Sequence, residues 1–195
     1  MGSPLHAPRA LPRRFFARPA DRVAVDLLGR VLVHRSEDGW CGGVIVETEA
    51  YLADGDPGSH AHRGPTPRNA SMFGPGGIAY VYRIYGLHLC FNVVTGSAGR
   101  GEAVLVRALE PTIGIDAMQR RRNGSRDLCN GPARLVEALG IGIEHDGASL
   151  LEAPFALLEG EPVPPQRVVL GRRIGLGKGE RLALRSYVRD SGAVS

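Results

Sequence analysis

The sequence predicts an α+β fold, one domain built on a largely antiparallel β-sheet with helices around it. Three observations carry that expectation. Runs rich in β-branched and aromatic residues (RVLVHR, GGVIVETEAYL, IAYVYRIY, LHLCFNVVT and EAVLVRALEP) are separated by short turn signals or, once, by a long loop. Helical segments stand before and after this group without a regular strand–helix repeat, which argues against a parallel sheet. A length of 195 residues with 43% hydrophobic content suits a single core.

Taken in order, residues 1–14 (MGSPLHAPRALPRR) are rich in Pro and Arg and lack the apolar stretch of a secretion signal. They are expected to form a mobile arm before a domain over 15–195. Pro19–Leu28 reads as a helix with Val23, Leu27 and Leu28 on one face and Gly29 as its stop. A strand follows, then a turn at Asp38-Gly39, then the returning strand GGVIVETEAYL. Ala53–Gly77 is dense in Gly, Pro, Asp, Ser and His without periodicity, and a structureless loop of about 25 residues is usually functional. Three more strands come next. A helix is expected over Thr112–Arg122 with Ile113, Ile115 and Met118 inward, and another over NGPARLVEALG, with Asn130 near its N-cap and Gly140 as its stop. VVLGRRIGLGKG and LALRSYVR read as closing strands around a Gly-rich turn.

Composition narrows the function classes. A net charge of +4 and a pI near 9.3 suit a polyanionic partner without identifying one. No segment approaches the ~18 apolar residues of a membrane span. Cys41, Cys90 and Cys129 are scattered and odd in number, which argues against a disulfide framework or a zinc site and makes the cytoplasm the default location. GxxxxGK[ST] is absent, and IGLGKG lacks the βαβ context of a dinucleotide fingerprint.

Chemistry concentrates in a few places. Strand alternation sets Glu47, Glu49 and Tyr51 on one face of VIVETEAYL and Thr48 and Ala50 on the other. Carboxylates there mark either a solvated edge strand or a buried, paired site. Arg107, inside AVLVRAL, lies either at a strand end in solvent or against a carboxylate such as Glu47 or Glu49. An Arg beside a carboxylate favours its charged form, which suits a group that activates water. Tyr80 and Tyr82 share a strand face, with Tyr80 read as core, and Tyr85 beside Gly86 is an exposed aromatic suited to wedging between bases. His60 and His62 form an H-x-H pair without a nearby third ligand. Two alternatives remain open on these residues: a metal-dependent hydrolase built on the H-x-H pair and Glu49, and a catalytically silent nucleic-acid-binding module.

VETEAYL, SHAHRG, TPRN, SMF, YVYRIYG, FNVVT, VLVRALEP and LCNGPARL together resemble, in order and spacing, the alkyladenine (3-methyladenine) DNA glycosylases, from about Phe15 to Arg189. The resemblance implies a curved antiparallel sheet, a monomer, no metal or cofactor, and double-stranded DNA with damaged purines as partner. By resemblance Glu49 is the general base for the attacking water, held also by Arg107 and by the backbone carbonyl of Ile174. Tyr51, His60 and Tyr82 resemble the walls around a flipped base, and Asn92 the guard against guanine's amino group. Tyr85 resembles the residue wedged into the vacated stack, with Leu87 beside it at the groove, where some relatives carry Met.

Overall fold

The computed structural model describes residues 9–179 and 181–195. Eight strands form one antiparallel sheet: β1 (Val31–Ser36), β2 (Gly39–Tyr51), β3 (Ala79–Ile84), β4 (His88–Thr95), β5 (Glu102–Ile113), β6 (Phe155–Leu158), β7 (Val168–Gly171) and β8 (Arg185–Val188). The spatial order is β3-β4-β5-β2-β1-β6, curled into a half-barrel. The long strand β2 changes neighbours along its length, pairing with β1 over residues 39–44 and with β8 over 47–49, while β7 lies outside β8. Four helices accompany the sheet: α1 (Arg13–Phe16), α2 (Ala20–Asp26), α3 (Ile115–Arg121) and α4 (Pro132–Leu139).

Alternation divides the sheet into two faces. One carries Ile45, Val81, Phe91, Val93, Val104 and Val106, and buries them against Val23 and Leu27 at α2 and Leu135 and Leu139 of α4. Full burial of such side chains stabilises by about 1.5–3 kcal/mol each, so this face holds the domain together. Thr48 belongs to it as well, its hydroxyl donating to Ala24 O at 2.8 Å. The opposite face is polar and aromatic.

Several expectations are corrected. Of the arm, residues 1–8 lie outside the described residues, but 9–11 run beside β6: Leu11 is 5% exposed and donates to Leu157 O at 2.8 Å. Ile113 and Ile115 face solvent, because β5 continues to Ile113 and Gly114, at φ 69°, delays the helix. The helix that follows buries Ala117 and Met118. Asn130 does lie beside the N-cap of α4, which is Gly131, and its side chain accepts from Arg134. Strand β6 was not expected. The long loop contains two 3₁₀ turns, His60–Arg63 and Ala70–Phe73, tied by Asn69, whose amide donates to His60 O and Gly64 O. No helix among the described residues is long and apolar enough to cross a membrane.

Candidate active site

Two opposed bulges place the central charges. Ile45 faces Leu109, Glu47 faces Ala108 and Thr48 faces Val106, so β2 carries an extra residue at Val46 and β5 an extra one at Arg107. A bulge re-aims the side chain it leaves out of the ladder. Arg107 therefore sits in an apolar strand yet turns its guanidinium toward β2, where it is 6% exposed. Glu47 and Glu49 are both 0% exposed. The edge-strand reading of these carboxylates is thus replaced by a buried cluster.

Glu49 is held by two hydrogen bonds and an ion pair. Its Oε1 accepts from the Ile174 N–H at 2.8 Å and lies 3.3 Å from Arg107 Nη1, while its Oε2 accepts from Tyr51 OH at 3.0 Å. A carboxylate offers about four lone-pair sites, so these contacts leave at least one for a further hydrogen bond. Burial, then the Glu49 charge, pushes the Tyr51 phenol far above its usual value, which keeps it a donor.

Glu49 borders a cavity of about 460 Å³, well inside the range of small-molecule sites. Tyr51, His60, Tyr80, Tyr82 and Asn92 line it together with Arg107 and Ile174. The His60 and Tyr82 rings meet edge to face with centroids 4.6 Å apart, and His60 Nδ1 is 2.9 Å from Tyr80 OH. Desolvation against these rings, then the Arg68 charge, holds His60 below its ordinary 6.5, so the imidazole is neutral near pH 7. Tyr80 and Tyr82 are both pushed up chiefly by burial and stay protonated. Asn92 is 2% exposed and donates from Nδ2 to Tyr80 O at 2.9 Å, which locks its amide across the β3–β4 pair. One face of the Tyr51 ring carries the Arg173 guanidinium, Cζ lying 4.6 Å from the centroid.

The β3–β4 turn projects at the mouth of this cavity. Tyr85 has φ 51° and Gly86 φ 73°, and Leu87 N–H donates back to Ile84 O at 3.2 Å. Two central residues with positive φ make the turn that matches strand twist, and a non-glycine residue there is strained by roughly 1–2 kcal/mol. Tyr85 is 83% and Leu87 77% exposed. A strained aromatic and a leucine side by side in solvent are what a partner surface would cover.

Residues 14–192 match the sequence profile of the methylpurine-DNA glycosylase family. The chain belongs to that family. Three relatives carry the provisional name 3-methyladenine DNA glycosylase. That of Methanoculleus marisnigri is 51% identical over 191 residues, covering 95% of this chain and 98% of the relative. That of Rhodopseudomonas palustris is 50% identical over 187 residues, covering 95% and 90%. That of Carboxydothermus hydrogenoformans is 47% identical over 188 residues, covering 95% and 98%. The protein is accordingly a DNA N-glycosylase.

In this methylpurine-DNA glycosylase Glu49, Tyr51, His60, Tyr82, Tyr85, Asn92, Arg107 and Ile174 all line the one cavity, whereas Glu47, His62 and Leu87, also singled out from the sequence, do not. His62 is exposed and apart from His60's hydrogen bonds, and among the described residues no group of three or more His, Cys, Asp or Glu is placed to hold a metal. Sequence reasoning missed three contributors. Tyr80, assigned to the core, is buried but also orients His60. Cys90 lines the cavity beside Tyr82, and its parity with Asn92 on the strand could have shown it. Arg173, next to Ile174, is wholly buried against Asp56, a pairing across 117 residues for which the sequence carries no local signal.

Proposed function

We propose that this glycosylase extrudes alkylated or deaminated purines (3-methyladenine, 7-methylguanine, hypoxanthine, ethenoadenine) from duplex DNA and hydrolyses their N-glycosidic bond with a water activated by Glu49. The buried carboxylate at the edge of an aromatic cavity, with hydrogen-bonding capacity left over, is the observation that carries this reading.

Flipping costs on the order of a few kcal/mol and is cheapest for damaged bases. Stacking returns ~1–3 kcal/mol per base, which Tyr82, His60 and the free face of Tyr51 can supply. Tyr85 fills the gap left in the duplex. As the bond from C1′ to the base nitrogen breaks, its electron pair leaves with the purine and the sugar takes on oxocarbenium character. The water oxygen then bonds C1′ and its proton passes to Glu49, while Arg107 and the Ile174 carbonyl hold the water. A purine cationic from alkylation departs neutral, whereas hypoxanthine needs a proton as it leaves. Asn92 stands where a 2-amino group would press on a fixed amide, which disfavours normal guanine.

No lyase step is included. The chain's single lysine, Lys178, borders a separate surface hollow with Gly177 and Arg181. The product is then an abasic site on an intact strand, and the enzyme acts as a monomer. Glu49→Gln tests the reading: it should retain affinity for lesion-containing duplex while single-turnover excision falls by ~10²–10⁴, the usual worth of a general base. Excision near the wild-type rate by this variant removes Glu49 from the mechanism.

A further inference from the structure

Glu47 is as deeply buried as Glu49, and the reaction above assigns it no task. Its carboxylate is nonetheless fully engaged. Oε1 accepts from Arg107 Nε at 3.1 Å and from Arg185 Nε at 2.5 Å. Oε2 accepts from the backbone N–H and the hydroxyl of Ser195, both at 2.7 Å. The same hydroxyl accepts from Arg107 Nη2 at 3.0 Å. Two of the three guanidinium nitrogens of Arg107 are thereby committed away from the cavity, and only Nη1 faces Glu49, at 3.3 Å.

We infer that Glu47 and Ser195 are positioning residues for the water-activating pair, holding Arg107 so that a single nitrogen reaches Glu49. This rests on the reading of Glu49 as the base. A guanidinium is a planar fork that prefers to pair with a carboxylate through two parallel hydrogen bonds. Released from Glu47, Arg107 would turn that fork onto Glu49. Its two bonds would fill the lone-pair sites that Ile174 N–H and Tyr51 OH leave for the water, and the nearer positive charge would make the carboxylate a weaker base. Glu47 thus competes with Glu49 for Arg107 and keeps the base available. It also balances a second, half-buried guanidinium, that of Arg185, which removal of the anion would leave without this partner.

The experiment compares wild type with Glu47→Gln, Ser195→Ala and Glu49→Gln on one hypoxanthine duplex under single turnover. Affinity is measured on a duplex with a tetrahydrofuran abasic-site analogue. Glu47→Gln should keep its affinity within about 2-fold while excision falls ~10–100-fold, the scale of a misplaced catalytic group. The acid limb of its rate–pH profile should move to lower pH, because losing one negative charge and gaining a closer Arg107 both favour the charged form of the base. Ser195→Ala, which leaves both charges in place but removes the hydroxyl's hydrogen bonds to Glu47 and Arg107, should lose on the order of 10-fold. It decides the matter if Glu47→Gln does not fold. Wild-type excision by Glu47→Gln, or by Ser195→Ala where it must decide, overturns the inference. So does a parallel fall of affinity and rate with an unmoved acid limb. An active Glu49→Gln defeats the general-base reading itself, whereas an inactive Glu49→Gln beside a fully active Glu47→Gln defeats only the role of Glu47.

Discussion

Replacing Arg173 by Met should cost this enzyme both stability and excision, through a single latch. Arg173 and Asp56 are each 0% exposed in their side chains, and the guanidinium meets both carboxylate oxygens, Nη2 to Oδ1 at 2.5 Å and Nη1 to Oδ2 at 2.6 Å. Nη1 also donates to Ala50 O at 2.9 Å, which pins the segment before Ile174 onto β2. The surrounding chain closes tightly on this pair, since a Cβ added at Gly58 or Gly179 would stand 2.9 Å from Nη2. Removing one partner of a buried ion pair costs ~3–5 kcal/mol, because the other charge stays buried. At ~2–4 °C per kcal/mol for a chain of this size, thermal unfolding should come about 6–20 °C earlier. Burial raises Asp56, but hydrogen bonds from Arg173, Leu52 N–H and Gly58 N–H outweigh it and hold the carboxyl below its ordinary 3.8. Its contribution is therefore complete above that value and lost as pH falls through the lower, folded one. In Arg173→Met the burial remains without the cation, so acid unfolding should begin at higher pH. Excision should fall ~10–100-fold as the Ile174 N–H loosens from Glu49. Calorimetry at neutral and acid pH, with single-turnover excision beside it, gives all three readings. A variant within about 1 kcal/mol of wild type, with an unmoved acid transition, would show that the pair latches nothing.

Two further outcomes follow from the cavity and its mouth. Asn92→Ser gives up one hydrogen bond to Tyr80 O, about 1 kcal/mol of stability, and should raise guanine excision relative to hypoxanthine excision on matched duplexes. An unchanged ratio would make Asn92 structural. Tyr85→Gly relieves a strained φ while adding chain entropy, so unfolding should stay within ~1 kcal/mol of wild type. Flipping, followed with a fluorescent base beside the lesion, should weaken more for well-paired lesions than for mismatched ones, and equal loss on both would reject the wedge.

The sheet was legible because its two-residue period is written twice. Val81, Phe91, Val93, Val104 and Val106 mark the core face, and Tyr80, Tyr82, Cys90 and Asn92 occupy the intervening positions toward the cavity. What alternation cannot carry is a change of register. The bulges at Val46 and Arg107 turn a central strand residue toward Glu47 and Glu49, and no run of residue types announces them. Ile113 and Ile115 misled for a related reason: their hydrophobicity suggests an inward helical face, whereas Gly114 fixes where the helix begins. Ile174 was reached only through family resemblance. Its position depends on Arg173 and Asp56, which are far apart in sequence and each unremarkable in its own loop.

The residues that the proposed mechanism uses are the ones that local structure resists. Glutamates in a central strand, an arginine in a run of Ala, Val and Leu, and a tyrosine at a left-handed turn position each oppose the element that holds them. A sequence optimised for the sheet alone would place β-branched residues in the strands and Asn-Gly at the turn. Such conflicts persist where something outside the element compensates. For the charges, compensation lies within the molecule: Glu47, Glu49, Arg107 and Arg185 neutralise one another, with Ser195 and Tyr51 completing their hydrogen bonds. For Tyr85 nothing among the described residues offsets the strain, since the residue is 83% exposed. That asymmetry separates a site assembled in advance from a group that, under the proposed function, gains its stabilising contacts from the DNA.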